Sequence, residues 1–516
     1  MAIGTADRAR IEPDGVALTD FGQTLTWAEI DEALNRATNA LLAADTGPEH
    51  RVAVFGRNSV EVVLAHAAAM RAGVSSTPVN AMLTVDEAAY ILEDSNAAMV
   101  FCGPETLDVA VEAAWRAHVD TVVAWRCSPS AAVAEDWAAW LAGGSPAEPP
   151  TDMAPRRHLL YTSGTTGRPK GTDLPFRGEA ATVAEYLAAL VSGLPGAVEA
   201  GGPHLVVGPL HHTGPLMALR HLAAGNGVVV MPKFDAEQCL AAIQRYRIAT
   251  TVMVPTHFTR LLALPADVRA QYDVTSLRTV HHTGAACPVA VKRAVINWFG
   301  PVLVEAYGGS EAGTVCSITS DEWLRKPGSV GRPAAGFDAV VVDDDGQECP
   351  AGQPGRLFFR DRSGRGLLYR HDDQKTAEAH LAPGVFTLGE AGYVDDDGYV
   401  FITDRTSDMV VSGGVNIYPA EIEQVLVRHP GVRDAACIGV PDADFGEALK
   451  ALIEPVRTAE PPTEDEIVAF CRTHLAGYKI PRSFTFVHDV GRNTMGKLDK
   501  KALRAAHGGG VSVAGH

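Results

Sequence analysis

The sequence predicts an α/β protein in which a large N-terminal multi-layer α/β domain precedes a small, mobile C-terminal α+β domain. Two observations carry this prediction: strand-like apolar runs alternate with amphipathic helices over most of the chain, and the pattern changes near residue 405. Strands separated by helices favour largely parallel sheets. With 516 residues, the chain is also too long for one compact core, so two or more domains are expected.

Capping signals and periodicity locate the elements of the large domain. Thr26 with Glu29, and Thr84 with Glu87, are each predicted to form a capping box at the start of a helix. Further helices are expected to begin near Ser59 and Asp235, and strands are expected at Val52–Phe55, Val228–Met231, Thr250–Val254 and Val302–Val304.

Glycine-punctuated β segments follow between about residues 330 and 405, with two acidic turns at 343–346 and 395–398 that both read Asp-Asp-Asp-Gly. Aspartate clusters invite a metal interpretation. However, Asp-Gly between apolar strands is first a hairpin signal, so we predict two hairpin turns.

The small domain is predicted from a change to shorter mixed elements after Arg405. We expect helices from Pro419 and Thr463, and strands over Ala435–Val440 and Lys450–Pro455. The predicted boundaries are residues 1–405 for the N-terminal domain, 406–507 for the C-terminal domain and 508–516 for a flexible tail.

Composition excludes several classes of protein. The 44 basic and 62 acidic residues give a net charge of −18, which disfavours nucleic acid as a partner. The eight cysteines are scattered, without a C-x-x-C pair, which is typical of a reducing compartment. We find no apolar signal core at the N-terminus and no membrane-spanning stretch, and we expect a cytoplasmic protein; a homodimer is left open.

The stretch from Tyr161 to Gly171 carries the strongest chemical signal and reads YTSGTTGRPKG. Glycines and small hydroxyl residues let backbone N–H groups approach phosphate oxygens, and a lysine adds positive charge. The pattern differs from a Walker loop, because proline precedes the lysine. The candidate ATP-binding residues here are Thr162, Ser163, Gly164, Thr165, Thr166, Gly167 and Lys170.

This stretch resembles the phosphate-loop signature of the adenylate-forming superfamily, which includes acyl-CoA synthetases, peptide-synthetase adenylation domains and luciferases. Further motifs follow in the family's order, so the resemblance covers nearly the whole chain, from about Thr26 to Arg504. It implies ATP and coenzyme A as cosubstrates, Mg²⁺ as cofactor and a carboxylic acid as substrate.

The string YGGSE at residues 307–311 resembles the family's second nucleotide motif. The resemblance implies that Tyr307 stacks on adenine beside Gly308, that Ser310 contacts the α-phosphate, and that Glu311 holds Mg²⁺. Oxygen ligands of this kind suit magnesium bound to a nucleotide. By the same resemblance, further nucleotide contacts come from Gly284, Ala285, Ala286 and Arg405.

The string PLHH at residues 209–212 resembles the motif that borders the acyl pocket, where His212 occupies the matching position. His212 would orient the carboxylate or be a packed core residue, since histidine serves both roles. Small residues, among them Gly214, Gly284 and Gly309, are expected to line the pocket. Small walls suggest room for a bulky apolar acid, such as a fatty, aryl or steroid-side-chain acid.

The small domain carries the remaining motifs. The string RNTMGK at residues 492–497 resembles the motif with the catalytic lysine, which is Lys497 here; with Glu311 and His212 it completes the predicted catalytic set. The resemblance also implies a coenzyme A tunnel near Ser412, Gly413 and Gly414, with Phe445 beside its nucleotide, and a hinge at Ser407.

Two positions depart from the family pattern. Glu390 stands where the family usually has an aspartate that grips the ribose hydroxyls, and it is one methylene longer. Ser407 stands at the hinge, where aspartate or lysine is usual. Serine tolerates a change of backbone dihedrals, but it carries no charge that would hold one pose.

The sequence therefore predicts an acid–CoA ligase that forms an acyl-adenylate and then a thioester. The alternatives are a ligase that loads an acyl carrier protein in trans, and a non-catalytic nucleotide-binding relative with Glu390 and Ser407 as signs of decay. Luciferase-type oxidation is left open, because fold alone does not fix function. An amino-acid-activating enzyme is disfavoured, because no aspartate lies near His212 to hold a substrate amine.

Overall fold

A computed structural model gives the conformation of most of the chain. It describes residues 4–127, 133–162, 170–173, 180–192, 201–343, 345–370, 372–405, 408–412, 415–442, 445–475, 477–493 and 496–508. The predicted residues Ser163–Gly167, Ser407, Gly413 and Gly414 lie outside the described part.

The elements are numbered in chain order. The helices are α1 Thr5–Ile11, α2 Trp27–Ala43, α3 Val60–Arg71, α4 Val85–Ser95, α5 Leu107–Arg116, α6 Trp137–Gly143, α7 Val183–Ser192, α8 Ala218–Ala223, α9 Ala236–Tyr246, α10 Pro255–Leu262, α11 Ala266–Arg269, α12 Val289–Phe299, α13 Ser320–Arg325, α14 Asp373–Glu378, α15 Pro419–Leu426, α16 Glu464–Arg472 and α17 Lys500–His507, with short 3₁₀ turns at Pro215–Met217 and Gly477–Lys479. The strands are β1 Val16–Thr19, β2 Thr24–Thr26, β3 Arg51–Phe55, β4 Ser75–Val79, β5 Met99–Cys102, β6 Thr121–Ala124, β7 Glu135–Asp136, β8 Leu159–Thr162, β9 Lys170–Asp173, β10 His204–Val206, β11 Val228–Val230, β12 Thr250–Met253, β13 Thr279–His282, β14 Leu303–Gly309, β15 Gly313–Thr319, β16 Arg332–Pro333, β17 Phe337–Val342, β18 Gly355–Asp361, β19 His380–Ala382, β20 Val385–Phe386, β21 Glu390–Val394, β22 Val400–Arg405, β23 Val410–Ser412, β24 Val415–Ile417, β25 Val432–Asp442, β26 Gly446–Pro455 and β27 Ser483–Phe486.

Two sheets with parallel strands form the large domain, which confirms the predicted α/β class. One has nine strands in the order β16-β15-β14-β13-β12-β10-β11-β1-β2, and its centre from β14 to β1 is parallel. The other has five parallel strands in the order β4-β3-β5-β6-β7. Apolar residues of α2, α3 and α8 pack together with strands of both sheets in one buried cluster.

Two mainly antiparallel sheets follow. Strands β17 to β22 form a six-stranded antiparallel sheet, and β23 to β27 form the five-stranded sheet of the small domain. In the small sheet β25 and β26 make a long antiparallel hairpin, and β27 adds in parallel to β26. The small domain is therefore α+β, as predicted.

The structure confirms the three predicted capping boxes and the turn at Asp395. Thr26, Thr84 and Thr463 each accept from the backbone N–H three residues on, and the glutamates at those positions complete capping boxes. Asp395 closes its turn by donating its backbone N–H to the Tyr399 carbonyl. The second acidic cluster is an ion-pair site as well as a turn, because Lys326 Nζ lies 2.8 Å from Asp395 Oδ2.

Among the described residues, we find no helix long and apolar enough to cross a membrane.

Candidate active site

The carboxyl ends of neighbouring parallel strands bring two of the sequence motifs together. His282 of β13 pairs in register with Glu305 of β14, so the segment 283–286 follows one strand and Tyr307 lies near the carboxyl end of the next. Gly284 turns the first segment with φ of +90°, a conformation that favours glycine. Ligands of open α/β sheets bind outside such strand ends, so this edge is the candidate active site.

A buried ion pair lies beneath these two segments. Lys292 Nζ of α12 is 2.5 Å from Glu305 Oε2, and His282 Nε2 is 3.6 Å from the same oxygen. Both Lys292 and Glu305 are buried. Breaking such a pair by removing one partner is costly, typically about 3–5 kcal/mol. The pair therefore fixes α12 against the strand that delivers the YGGSE motif.

Glu390 lies at this site despite its departure from the family pattern. The Tyr307 hydroxyl donates a hydrogen bond of 2.8 Å to Glu390 Oε2. Glu390 begins β21, and its register partner on β22 is Arg405, the other predicted nucleotide residue. Glu390, which the family resemblance assigns to the ribose, is thus held beside Tyr307, which the resemblance assigns to adenine.

Glu311 has a partner that the sequence did not reveal. The Tyr369 hydroxyl donates to Glu311 Oε1 at 3.3 Å. Burial first, and then the Glu311 carboxylate, raise the pKa of Tyr369, so the phenol stays a protonated donor. A lone tyrosine in a glycine-rich segment carries no motif, so sequence reasoning had no signal for this contact.

The phosphate-loop hairpin is anchored close to Tyr369. Thr162 of β8 and Lys170 of β9 are antiparallel register partners, so these strands return the chain after the loop. Next to them, the Gly171 carbonyl accepts from the Arg370 backbone N–H at 3.3 Å. The neighbouring residues Tyr369 and Arg370 thus link Glu311 to the strand that follows the phosphate loop.

Ser310 contacts the acyl side of the site. Its hydroxyl lies 3.1 Å from the hydroxyl of Thr213, a residue that sequence reasoning missed, in the segment that follows His212. The ring centroids of His211 and His212 are 4.2 Å apart. The nucleotide motif and the PLHH motif therefore meet at Ser310 and Thr213.

Lys497 reaches the same region from the small domain. Gly496 has φ of +75°, and a Cβ built on it would lie 2.6 Å from Thr256 Oγ1 and 3.8 Å from Ala285 Cβ. Burial, and then the nearby Lys497 ammonium, lower the pKa of His212 to about 4, so this imidazole is neutral at pH 7. The structure thus brings Lys497 and His212 together.

Glycines of the candidate site lie close to neighbouring groups of the protein itself. A Cβ on Gly308 would lie 1.9 Å from the Gly313 carbonyl oxygen, and one on Gly309 would lie 2.7 Å from Glu311 Oε2. At Gly214 a Cβ would meet Val252 Cγ1 at 3.1 Å. These glycines allow close approach between neighbouring groups, so their small size is no evidence of a roomy pocket.

Ser412 and Phe445, both predicted near coenzyme A, are neighbours in the small domain. Ser412 of β23 is in register with Gly446 of β26, the residue next to Phe445. The Arg482 guanidinium lies 3.8 Å from the centre of the Phe445 ring. Arg482 also lines a cavity of about 550 Å³ with Val468, Arg472, Leu475, Gly477, Ile480 and Pro481.

Within the described part of the chain, no group of three or more histidine, cysteine, aspartate or glutamate residues is arranged to hold a metal ion. Glu311 nevertheless fits Mg²⁺ that arrives with a nucleotide, because its carboxylate is oriented by Tyr369 and hard oxygen ligands suit that ion.

The fold and the site define an adenylate-forming enzyme of two domains. A family model described as "AMP-binding enzyme" matches residues 5–365, and one described as "AMP-binding enzyme C-terminal domain" matches residues 421–497. The chain belongs to the AMP-binding enzyme family, in its acyl-CoA synthetase branch.

Relatives support this assignment along nearly the whole chain. The chain is 34% identical over 510 residues to a fatty acid–[acyl-carrier-protein] ligase of Streptomyces coeruleorubidus, covering 97% of this chain and 95% of that protein. It is 33% identical over 507 residues to a feruloyl-CoA synthase of an Amycolatopsis species, covering 97% and 98%. The solved structure of o-succinylbenzoate CoA synthetase from Bacillus subtilis, in complex with its acyl-adenylate, matches with a TM-score of 0.79 at 26% identity and 99% coverage of each chain.

Proposed function

We propose that this protein activates a carboxylic acid with Mg·ATP, forming an acyl-adenylate, and transfers the acyl group to the thiol of coenzyme A. The observation that carries the proposal is the position of the Gly496–Lys497 turn. It packs against Thr256 and Ala285, with the ammonium close enough to lower the pKa of His212. Lys497 of the small domain is thereby held where the acyl and nucleotide segments meet.

In the first half-reaction, an oxygen of the substrate carboxylate attacks the α-phosphorus of ATP, and the bond to pyrophosphate breaks. The Lys497 ammonium stabilises the negative charge that develops on the phosphoryl oxygens. Neutral His212 is a hydrogen-bonding partner for the carboxylate rather than a second cation. Mg²⁺, held by Glu311 and the nucleotide, would supply further neutralisation of phosphate charge.

In the nucleotide site, Tyr307 and Glu390 act as a unit. The hydrogen bond from the tyrosine hydroxyl orients the Glu390 carboxylate, which would accept hydrogen bonds from the ribose hydroxyls. The extra methylene of Glu390 is thus compatible with ribose binding, because the hydroxyl of Tyr307 holds the longer side chain in place. The contact supports a catalytically active enzyme over the non-catalytic nucleotide-binding alternative.

In the second half-reaction, the thiolate of coenzyme A attacks the carbonyl carbon of the adenylate, and the bond to AMP breaks. We assign the nucleotide part of coenzyme A to the surface formed by Phe445 and Arg482. Stacking of a base on Phe445, and the positive charge of Arg472 and Arg482 along the adjoining cavity, suit a phosphorylated nucleotide.

The acceptor is tested by competition between three thiols: coenzyme A, pantetheine and a phosphopantetheinylated carrier protein. The carrier alternative is included because one relative is named as an acyl-carrier-protein ligase. For a coenzyme A enzyme, we expect Arg482→Ala to raise KM for coenzyme A about tenfold or more and to leave pantetheine unaffected. A preference for the carrier protein, or an equal effect on both small thiols, would refute this assignment.

The activity itself is tested by pyrophosphate release with a panel of carboxylic acids, first without and then with coenzyme A. We expect one round of release without the thiol and continuous turnover with it. ATP binding without release for any acid would support the non-catalytic alternative.

A further inference from the structure

The turn that carries Lys497 touches the large domain through its glycine. Gly496 is buried, whereas Lys497 beside it is exposed. A Cβ built on Gly496 would lie 2.6 Å from Thr256 Oγ1, and 3.8 Å from both Thr256 Cβ and Ala285 Cβ. The shorter distance is below van der Waals contact, whereas the longer one is ordinary. The Thr256 side chain therefore fills the space that a side chain at residue 496 would need.

Thr256 stands on a part of the large domain that is held in place. It lies in the first turn of α10, directly after Pro255, whose ring presets a helical φ. The next residue, His257, is buried, and its Nδ1 accepts from the Val254 backbone N–H at 3.2 Å. The ring of His257 also stacks on Phe234, with 4.3 Å between the ring centroids. The start of α10 therefore has little freedom to move away from the turn.

The turn is held just as firmly on the small domain. The Gly496 backbone N–H donates to the Asn493 carbonyl at 2.9 Å, and the Asn493 N–H donates to the Lys497 carbonyl at 3.0 Å. Arg492 Nη1 donates to the Gly496 carbonyl at 3.0 Å. The same guanidinium donates to both carboxylate oxygens of Asp434 on β25, at 2.5 and 2.9 Å. This two-pronged contact ties the turn to the sheet of the small domain.

These contacts couple the seating of Gly496 to the placement of Lys497. Because the turn is tied to its own sheet, Gly496 cannot draw back from Thr256 unless the small domain moves with it. Threonine has two heavy atoms on Cβ, and its restricted χ1 rotamers limit how far the side chain can turn aside. A side chain at residue 496 would therefore hold the small domain away from α10, and Lys497 away from the site.

We propose that Thr256 is a positioning residue for adenylation: its side chain seats Gly496 and thereby sets where Lys497 stands relative to the reacting groups. This inference rests on the proposed function and adds to it a residue of the large domain. The seat acts by its shape, so it requires glycine at residue 496 and does not depend on the Thr256 hydroxyl as a hydrogen-bond donor. It serves the first half-reaction, in which Lys497 stabilises the transition state, and not the second.

The test is a double-mutant cycle between residues 496 and 256. Gly496→Ala is made in the wild-type, Thr256→Ala and Thr256→Val backgrounds, and pyrophosphate release and thioester formation from a supplied acyl-adenylate are measured. In the wild-type background we expect pyrophosphate release to fall about 100-fold or more, and thioester formation to stay within about twofold. In the Thr256→Ala background Oγ1 is gone, and the two nearest described atoms that remain lie at 3.8 Å. The loss should therefore shrink to about tenfold, the part due to alanine in a left-handed conformation.

Thr256→Val is the matched control, because valine keeps two heavy atoms on Cβ and lacks the hydroxyl. In that background the loss from Gly496→Ala should keep its full size. Equal losses in all three backgrounds, rescue by valine as well as by alanine, or a matching loss of thioester formation would overturn the inference while the ligase function stands. Retained thioester formation also shows that each variant is folded. Pyrophosphate release by the wild type from no acid at all would overturn the proposed function, and this inference with it.

Discussion

At the scale of single residues, the site depends on charged groups whose partners come from distant segments. Tyr307 binds Glu390 and Tyr369 binds Glu311, across separations of 83 and 58 residues in the chain. In each pair, one residue belongs to the YGGSE motif. Its partner either belongs to no motif, as Tyr369 does, or departs from the family pattern, as Glu390 does. The reactive side chains of the motif therefore lie close together in the sequence, while the residues that orient them come from distant segments.

Lys497→Ala should nearly abolish adenylation and spare the second half-reaction. Loss of one contact to the transition-state charge typically costs about 10²–10³ in rate. We expect pyrophosphate release to fall by at least that factor, and thioester formation from a supplied acyl-adenylate to stay within about twofold. Lys233→Ala, at an exposed position, serves as the matched control. Equal losses in the two assays would show that Lys497 acts otherwise.

Glu390→Ala should raise KM for ATP about tenfold or more, since hydrogen bonds to a charged group contribute about 1.5–3 kcal/mol. Tyr307→Phe should show a smaller rise, because it removes the orienting hydroxyl at 2.8 Å but keeps the ring. Glu390→Asp should retain ATP use. Steady-state kinetics with ATP varied would settle the order; an alanine variant with unchanged ATP kinetics would place Glu390 away from the ribose.

At the scale of elements, glycines set how closely neighbouring segments approach. The hairpin of β14 and β15 is closely packed at Gly308, where a Cβ would lie 1.9 Å from the Gly313 carbonyl oxygen. That oxygen belongs to the backbone and cannot rotate away as a side chain could. The motif YGGSE therefore needs its first glycine for the hairpin itself, independently of any contact with nucleotide.

Gly308→Ala should destabilise the protein and impair ATP use together. Overpacking of this kind typically costs about 1–3 kcal/mol, and the strand that carries Tyr307 must shift to relieve it. Gly143→Ala is the matched control, because a Cβ there has nothing within 4 Å. Thermal unfolding and KM for ATP are measured for both variants. A Gly308→Ala protein with wild-type values in both would contradict the close contact.

Sequence was a good guide to these elements wherever the signal is local. The capping boxes at Thr26, Thr84 and Thr463, and the turn at Asp395, follow from residues within four positions of each other. The contacts of Tyr369 and Thr213 could not be predicted, since they depend on how sheets and loops are placed in space. Pocket size could not be inferred for a related reason: a glycine is equally consistent with open space and with close packing.

At the scale of the whole molecule, many histidines are buried and kept neutral. Burial is the largest cause in each case, and it lowers the pKa to about 4 at His158, His212, His221, His257 and His281. An unfolded histidine binds a proton near pH 6.5. Between these two values the unfolded state binds more protons than the folded state, so acid favours unfolding.

The free energy of unfolding should therefore be nearly constant above about pH 7 and fall as the pH drops from 6.5 toward 4. Each histidine contributes a slope of up to about 1.4 kcal/mol per pH unit. Urea titrations at half-unit steps from pH 7.5 to 5.0 would measure it, and His257→Gln should make the dependence shallower. A flat profile over this range would contradict the neutral buried state.

The arrangement of the domains makes a last prediction. Gly496 is seated against Thr256, so the small domain presents Lys497 to the site, while the family resemblance assigns Ser412 and Phe445 of the same domain to coenzyme A. Because the two half-reactions need different residues of the small domain, we infer a rotation between them, a hinge motion in which a few dihedrals absorb the change.

Ser407→Pro should block that rotation and leave adenylation largely intact. Proline fixes φ near −65° and removes a backbone donor, so a hinge at this residue would be locked. If the locked angle suits the adenylating arrangement, the variant releases pyrophosphate once and retains the acyl-adenylate. Single-turnover assays with and without coenzyme A follow pyrophosphate and thioester separately, and Ser407→Ala controls for the lost hydroxyl because alanine leaves φ free. Normal thioester formation in the proline variant would mean that residues other than Ser407 absorb the rotation.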